Sequence, residues 1–249
     1  MSDELLSLRA LIVARDPSLR DLFRQAASAL PVPLEIVDCV DNAAVQRGIT
    51  GADLAYLDGL LPSEERAGLV AALRGAVKPP FSILMATGAA AIAYATDAVA
   101  GRPSRVEESR WLLERTMRVR LPSRVLVVDD SATMRAIVAK ALAATRFPFD
   151  VTEVDEGKAA LERARESEFD LVFLDHNMPG LSGLDTLSEF KREKRRVSVV
   201  MMTSAPDATL AKRARDAGAA FLKKPFFPAD IEKVLCGFYG LRALHPNRA

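Results

Sequence analysis

The chain has 249 residues, 49% of them hydrophobic and 27% charged, which is enough for two domains of ordinary size and typical of a globular rather than a disordered protein. A formal net charge of +1 gives no overall attraction to nucleic acid or to an anionic membrane. No window approaches the ~18 uncharged apolar residues of a membrane-spanning helix, and the N-terminus lacks the basic and apolar regions of a signal peptide.

The two cysteines, Cys39 and Cys236, lie far apart in the sequence and in apolar surroundings. This pattern predicts buried thiols in a reducing compartment rather than a disulfide framework. We therefore expect a cytoplasmic protein with no direct nucleic-acid partner and no membrane insertion.

The first half of the chain alternates short apolar runs with amphipathic stretches. Ser18 and Ser63 are the expected N-caps of two of its helices. The predicted strands are 10–14, 34–40, 53–58 and 81–86. The predicted helices are one that follows residue 17 and three that span 41–48, 63–75 and 106–117. A further short helix and strand are expected within 88–99.

The second half repeats the pattern five times. The predicted strands are 124–130, 149–154, 171–175, 197–203 and 219–222, and the predicted helices are 131–145, 156–166, 181–193, 206–217 and 228–239. Alternating strands and helices predict a parallel sheet with helices on both faces. Right-handed crossovers make it doubly wound, with the flavodoxin-like strand order 2-1-3-4-5. The predicted fold is therefore α/β, with two (βα)5 domains at 1–118 and 124–249 joined by a linker at 119–123.

The two halves form an internal repeat. The segment 53–58, Asp-Leu-Ala-Tyr-Leu-Asp, matches 170–175, Asp-Leu-Val-Phe-Leu-Asp, and each final acid has a proline four residues on. Arg20 and Arg135 also correspond. A repeat of this length indicates a duplicated domain rather than a solenoid.

The halves differ in their polar residues. Ala14-Arg15 stands where the second half has Asp129-Asp130, and Arg102-Pro103 stands where it has Lys224-Pro225. Thr87 is the expected counterpart of Thr203, and fewer residues separate it from Arg102 than separate Thr203 from Lys224, which predicts a shortened fourth helix.

Polar residues follow the predicted strands of the second half at their carboxyl ends, where open parallel sheets bind ligands. Asp175 ends one apolar run, Asp129-Asp130 ends another, and Thr203 and Lys224 end two more. Three carboxylates at one place repel one another and favour a hard divalent cation such as Mg²⁺, which needs few protein oxygens. A carboxylate at such a site can also act as a nucleophile that accepts a phosphoryl group.

The second half resembles the receiver domain of two-component response regulators, the CheY-like fold. The resemblance lies in the acid pair Asp129-Asp130, in Asp175 with Met178-Pro179-Gly180 after it, in Thr203 and in Lys224-Pro225. The resemblance covers half of the chain strongly and the other half weakly. It implies that Asp175 is the phosphoryl acceptor. It also implies a magnesium site in which Asp130 and Asp175 bind the metal directly, Asp129 binds through water, and the backbone carbonyl of Asn177 is the remaining protein ligand.

The same resemblance assigns three further roles. Lys224 is expected to pair with a phosphoryl oxygen, Thr203 to hydrogen-bond the phosphoryl group, and Phe221 to occupy the aromatic switch position. The donor would be a histidine kinase or a histidine phosphotransfer protein. The chain would not be an enzyme beyond its own phosphorylation and dephosphorylation. No DNA-binding or enzymatic output domain is expected after the second half, so the chain would signal by protein–protein contact or by phosphoryl relay to another protein.

The first half is expected to be a degenerate receiver. Asp58 keeps the acceptor position, but the acid pair is missing. The hypothesis is that Arg15, alone or with Arg102, forms an ion pair with Asp58 and replaces the metal, so that this domain is not phosphorylated. It would then serve as a surface for dimerisation, for partner binding or for control of its neighbour.

Three alternatives remain open at this point. The first half could be a ligand-binding or scaffold module controlled by the receiver. The chain could be a phosphatase-type hydrolase with Asp175 as nucleophile, although Asn177 stands where such enzymes place a second acid. It could also be a piece of a hybrid kinase.

Overall fold

The computed structural model describes residues 8–87, 96–193, 195, 197–204 and 208–242. Contacts between Cα atoms divide the chain into two compact units. The first unit comprises the described residues up to Arg120 together with 239–242, and the second comprises Leu121–Phe238. Residues 239–242, which the sequence placed in the second domain, therefore belong to the first unit, and Ser123, predicted as linker, begins a strand.

The first unit is a five-stranded parallel sheet with the order β2-β1-β3-β4-β5. Its strands are β1 Leu8–Val13, β2 Leu34–Cys39, β3 Leu54–Asp58, β4 Phe81–Ala86 and β5 Ala98–Gly101. Its described helices are α1 Pro17–Ser28, α2 Asn42–Gly48, α3 Ser63–Arg74 and α4 Val106–Met117, followed by a 3-10 turn at Arg118–Arg120. The helix predicted after Gly88 lies outside the described residues.

The second unit has the same topology, with the order β7-β6-β8-β9-β10. Its strands are β6 Ser123–Val128, β7 Phe149–Val154, β8 Leu171–Asp175, β9 Ser198–Thr203 and β10 Ala220–Lys223. Its described helices are α5 Ala132–Ala143, α6 Gly157–Glu166, α7 Gly183–Arg192, α8 Ala208–Asp216 and α9 Pro228–Phe238. The predicted fold, two doubly wound domains with strand order 2-1-3-4-5, is confirmed.

Two predicted helix caps are wrong. Asp16, not Ser18, is the N-cap of α1, because its carboxylate accepts a hydrogen bond from the Ser18 N–H and Pro17 occupies the first helical position. Ser63 is the first residue of α3 rather than its cap, and Pro62 precedes it without a side-chain hydrogen bond. Glu64 and Glu65 lie in the first turn of α3, where the helix dipole favours acids.

The central strands carry the core of each unit. Every residue of β3 and of β8 is buried, because helices cover both faces of a parallel sheet. Burial of a leucine or phenylalanine in such a strand contributes roughly 1.5–3 kcal/mol. The acid that ends each strand is therefore held on a rigid support. Among the described residues, no helix has the length and apolar character needed to cross a bilayer.

The repeated acids at 53 and 170 have one structural role in both units. The Asp53 carboxylate accepts the Arg9 N–H at 3.1 Å, and the Asp170 carboxylate accepts the Arg124 N–H at 2.9 Å. Each acid thereby joins the start of the first strand of its sheet to the start of the third. This contact explains why the repeat keeps the first acid of the motif as well as the last.

Candidate functional site

Two adjacent strand ends bring the carboxylates of the second unit together. Asp129 and Asp130 follow β6, Asp175 ends β8, and the parallel register pairs Val128 with Leu174, one residue earlier on each strand. Asp129 and Asp175 are buried, at 1% and 3% exposure, whereas Asp130 is exposed. One carboxylate oxygen from each of the three acids lies within 4.8 Å of the others.

Lys224 bridges the two buried acids. Its Nζ atom donates to Asp129 Oδ2 at 2.6 Å and to Asp175 Oδ1 at 2.7 Å, and its side chain is 15% exposed. Burial alone would lower the pKa of Lys224, but the hydrogen bonds to the two acids and their charges outweigh this effect, so the pKa is raised. Lys224 is therefore an ammonium ion at neutral pH.

Backbone amides fix the second oxygen of each buried acid. The Ser131 N–H donates to Asp129 Oδ1 at 3.0 Å, and the Asn177 N–H donates to Asp175 Oδ2 at 2.9 Å. Ser131 is also the N-cap of α5. The contact shown for Asn177 is thus made by its amide, and the metal-binding role of its carbonyl stays a prediction.

The donor set fits a magnesium ion. The three acids that converge here offer carboxylate oxygens, the ligands that hard divalent cations prefer. Three carboxylates against the single ammonium of Lys224 leave two net negative charges in this cluster, which match the charge of one divalent cation. Exposed Asp130 also leaves the cluster open to water, and Mg²⁺ keeps several water ligands in proteins.

Thr203 and Phe221 lie on the two strands beyond Asp175. Met202 pairs with Asp175 in the register of β8 and β9. Buried Thr203, the last residue of β9, follows this pair directly. Its backbone oxygen accepts the Lys224 N–H at 2.7 Å. Phe221 lies on β10 and packs, half-buried, against the core of the unit. The peptide bond between Lys224 and Pro225 is cis. The structure thus places Lys224 in contact with the acids, Thr203 on the adjacent strand end and Phe221 one strand further.

Arg135 is a residue of this site that the sequence analysis did not assign. Its Nη1 atom donates to the Asp129 carbonyl at 2.8 Å, and its Nε lies 3.4 Å from Glu153 on β7. Arg20 makes the equivalent contacts in the first unit, to the Ala14 carbonyl at 2.6 Å and to Asp38 at 3.6 Å. Both arginines hold the turn after the first strand of their sheet. The correspondence of Arg20 and Arg135 in the repeat was the signal for this role.

The equivalent place in the first unit is filled by an arginine. Arg102 donates from Nε to Asp58 Oδ1 at 2.8 Å and from Nη2 to Asp58 Oδ2 at 3.1 Å. Its Nη2 also donates to Asp16 Oδ2 at 2.8 Å. The hydrogen bonds to Asp58 raise the pKa of Arg102, and the hydrogen bond from Arg102 lowers the pKa of Asp16. Buried Asp58 accepts a further hydrogen bond from the Leu60 N–H at 3.1 Å.

The hypothesis that Arg15 neutralises Asp58 is wrong. The Arg15 side chain is 66% exposed and donates to Glu65 at 2.7 Å. Ala14, the first residue after β1, is buried like Asp129, whereas Arg15 is exposed like Asp130. The second residue after the strand therefore faces outward in both units, and an arginine there cannot replace the acid pair.

Two further equivalences follow from the backbone. The Arg102 N–H donates to the Ala86 carbonyl at 3.1 Å, as the Lys224 N–H does to Thr203, so Arg102 is the counterpart of Lys224. Met85 pairs with Asp58 as Met202 pairs with Asp175, so Ala86 rather than Thr87 corresponds to Thr203. The first unit therefore has neither the acid pair nor the hydroxyl at these positions.

Comparison with known proteins agrees with this geometry. Residues 125–235 match the family described as the response regulator receiver domain. The chain is 34% identical over 115 residues to the chemotaxis protein CheY-3 of Vibrio cholerae, covering 45% of this chain and 88% of CheY-3. It is 38% identical over 112 residues to the transcriptional regulatory protein PdtaR of Mycobacterium tuberculosis, covering 45% of this chain. It spans only about half of the length of PdtaR, 54%.

A solved structure described as a probable two-component system response regulator/GGDEF domain protein resembles nearly the whole chain. It has a TM-score of 0.60 and 19% identity, and the match covers 94% of this chain and 98% of that one. At this identity the likeness shows the fold alone, two receiver-like units in tandem. With its receiver signature at 125–235, the chain belongs to the response regulator family.

Proposed function

We propose that this chain is the response regulator of a two-component phosphorelay and that Asp175 accepts the phosphoryl group. The observation that carries the proposal is the bridge from Lys224 to buried Asp129 and Asp175 beside exposed Asp130. An ammonium and three carboxylates at the ends of adjacent strands suit a reaction in which positioning and positive charge supply most of the catalysis.

The transfer step is a nucleophilic displacement at phosphorus. A carboxylate oxygen of Asp175 forms a bond to phosphorus, and the bond from phosphorus to the histidine nitrogen of the donor breaks, so the product is an acyl phosphate and the imidazole leaves with the electron pair. Mg²⁺, held directly by Asp130, Asp175 and the carbonyl of Asn177 and through water by Asp129, would neutralise charge on the phosphoryl oxygens. The amide of Asn177 keeps the Asp175 carboxylate in position.

Lys224 and Thr203 are the expected receivers of the new charge. Phosphorylation adds about −1.5 to −2 charges and three acceptor oxygens. Lys224 would exchange its hydrogen bond with Asp175 Oδ1 for one with a phosphoryl oxygen, and the Thr203 hydroxyl would donate to another. Phe221, on the strand that leads into Lys224, is the expected reporter of this rearrangement.

The partners follow from this chemistry. We infer that a histidine kinase or a histidine phosphotransfer protein supplies the phosphoryl group and that a downstream protein reads the modified surface. The chain would not turn over a substrate beyond its own phosphorylation and dephosphorylation. It would act in the cytoplasm, with which the free, buried thiols of Cys39 and Cys236 agree.

The first unit, in this proposal, is a receiver that no longer accepts a phosphoryl group. What supports it is the fork-like pairing of Arg102 with both oxygens of Asp58, in the position where Lys224 makes only one contact with Asp175. A guanidinium is permanently charged and cannot be displaced as a weakly held metal can. The unit would then serve as a surface for dimerisation or for control of the second unit.

The decisive experiment is the intact mass of the full chain after incubation with acetyl phosphate and Mg²⁺. We expect one phosphoryl adduct on the wild type and on the matched control Asp58→Asn, and none on Asp175→Asn. An adduct that survives in Asp175→Asn but disappears in Asp58→Asn would reverse the assignment of the two units. Absence of any adduct, even with a phosphorylated donor protein, would contradict the proposed function.

A further inference from the structure

The edge strand of the first unit is completed by the last described residues of the chain. Strand β5 has four residues and, among the strands that the structure describes, pairs with β4 alone. On its other side, Val99 forms an antiparallel bridge with Arg242. The Val99 N–H donates to the Arg242 carbonyl at 2.9 Å, and the Arg242 N–H donates to the Val99 carbonyl at 2.8 Å. We call residues 239–242 the clasp.

The clasp is anchored by side chains as well as by its backbone. Tyr239 and Leu241 are buried, at 2% and 5% exposure. Gly240 between them has φ +69°, a conformation that other residues rarely adopt. Arg115 of α4 donates from Nε to the Tyr239 carbonyl at 3.2 Å, and its guanidinium lies 4.8 Å from the ring centre of Trp111. The clasp is therefore packed into the first unit by buried side chains as well as by backbone hydrogen bonds.

The clasp also continues the last helix of the second unit. Helix α9 ends at Phe238, and Tyr239 is the next residue. The helix begins at Pro228, shortly after Lys224, and its buried residues Ile231 and Leu235 hold it against the second unit. Helix α9, about 16 Å long at 1.5 Å per residue, thus lies in the chain between the loop that carries Lys224 and the segment that bonds β5.

We propose that the clasp couples the two units, so that phosphorylation of Asp175 releases residues 239–242 from strand β5. The inference rests on the proposed function of Asp175. When Lys224 exchanges a carboxylate for a phosphoryl oxygen, the segment that carries it shifts and moves the start of α9. A four-residue segment joined to an edge strand by one bridge, as the clasp is to β5, is among the contacts that open most easily in a folded protein. A displacement at the far end of α9 therefore breaks the clasp before it disturbs the core.

Amide hydrogen exchange resolved to single residues tests the coupling. The Val99 N–H depends on the clasp, whereas the Arg102 N–H bonds Ala86 inside the sheet and serves as the internal reference. After treatment with acetyl phosphate and Mg²⁺, we expect exchange at Val99 to rise by roughly 5-fold to 150-fold, the usual range of coupling between sites, with Arg102 unchanged. The intact mass of the same sample reports the adduct.

The outcomes separate this inference from the function on which it rests. An adduct without a change at Val99 would disprove the coupling and leave the proposed function standing. A sample that takes up no phosphoryl group from acetyl phosphate or from a phosphorylated donor protein would contradict both the coupling and the proposed function of Asp175.

Variants of the clasp provide a second, independent test of the coupling. Leu241→Asp should raise exchange at Val99 without any phosphoryl group and abolish the further response, whereas Val77→Asp, the same change at a fully exposed position, should do neither. Gly240→Ala is a milder second variant, because it strains the backbone at φ +69° and crowds Arg115 without burying a charge. Emission of Trp111, the sole tryptophan, should change in the clasp variants and in the phosphorylated wild type. If the variants open Val99 while phosphorylation of the wild type does not, the clasp is structural only and the proposal is wrong.

Discussion

Arg102 and Lys224 occupy equivalent positions in the two units, and each donates hydrogen bonds to the acid that ends the third strand of its own sheet. Arg102 holds both oxygens of Asp58, whereas Lys224 holds one oxygen of Asp175 and shares its charge with Asp129. The same position in the fold therefore holds an arginine that pairs with both oxygens of one acid in the first unit and a lysine shared between two acids in the second.

Replacing Lys224 should make the second unit dependent on metal. In Lys224→Met, the buried carboxylates of Asp129 and Asp175 lose their shared cation, and loss of one partner from a buried ion pair costs about 3–5 kcal/mol in free energy of unfolding. We expect a lower unfolding midpoint in urea with EDTA and a larger recovery with Mg²⁺ than in the wild type. The neighbouring exposed Lys223→Met is the matched control, and an equal loss in both variants would contradict the explanation.

Removing Arg102 should destabilise the first unit, with no recovery in Mg²⁺. Arg102→Ala leaves Asp58 buried without its cation, so we expect a loss of about 3–5 kcal/mol, much of it regained in Arg102→Ala/Asp58→Ala. Arg105→Ala breaks an exposed ion pair with Glu108 and should cost far less, because solvent screens exposed pairs. Denaturant unfolding of the wild type, Arg102→Ala, Asp58→Ala and the double variant measures the coupling, and strictly additive effects would argue against a stabilising pair.

Exposed Asp130 offers a way to separate metal binding from stability. Asp130→Asn removes one of the three proposed metal ligands at an exposed position, so the chain should keep its stability in EDTA while losing Mg²⁺ affinity. Mg²⁺ at 100 times its Kd should stabilise the wild type by about 2.7 kcal/mol and the variant by much less. Asp150→Asn, an exposed acid on β7, is the control for the change of charge. Calorimetric titration that gives equal affinities for both variants would exclude Asp130 as a ligand.

The contact between Arg102 and Asp16 should appear in the pH dependence of stability. The hydrogen bond from Arg102 lowers the pKa of Asp16 in the folded state, so this group contributes stability above its unfolded pKa of about 4 and loses it as the pH falls through the folded value. Asp16→Asn keeps an N-cap acceptor for α1 but removes the charge. The variant should therefore be less stable than the wild type at pH 7, and the difference should shrink as the pH falls below about 4, as measured by denaturant unfolding over a series of pH values. A constant difference would mean that only the cap was changed.

The acidic site could be predicted from the sequence because parallel strands present their carboxyl ends at one edge of the sheet. The apolar runs before Asp129 and Asp175 are long enough to define the strands, and the sheet brings their ends together regardless of detail in the loops. The error at Arg15 has a local cause. Sequence identifies the end of a strand but not which of the next two residues turns inward, and the structure buries Ala14 and exposes Arg15.

The clasp could not be predicted for a different reason. The apolar periodicity of the last helix continues through Tyr239, so nothing in the pattern marks the point at which the chain leaves the second unit. Its pairing with Val99 involves one bridge between residues far apart in sequence. Contacts of this kind depend on tertiary structure alone.

The place of residues 239–242 makes the first unit discontinuous in sequence. As the chain is synthesised, strand β5 emerges early, but Arg242, which bonds its outer edge in the described part of the chain, is made only after the whole of the second unit. Domains otherwise fold in order from the N-terminus, and an open strand edge invites pairing with other chains. The second unit can thus reach its final fold before the first does, and we expect nascent chains that still lack residues 239–242 to pair with other chains at β5 more readily than chains in which the clasp has formed.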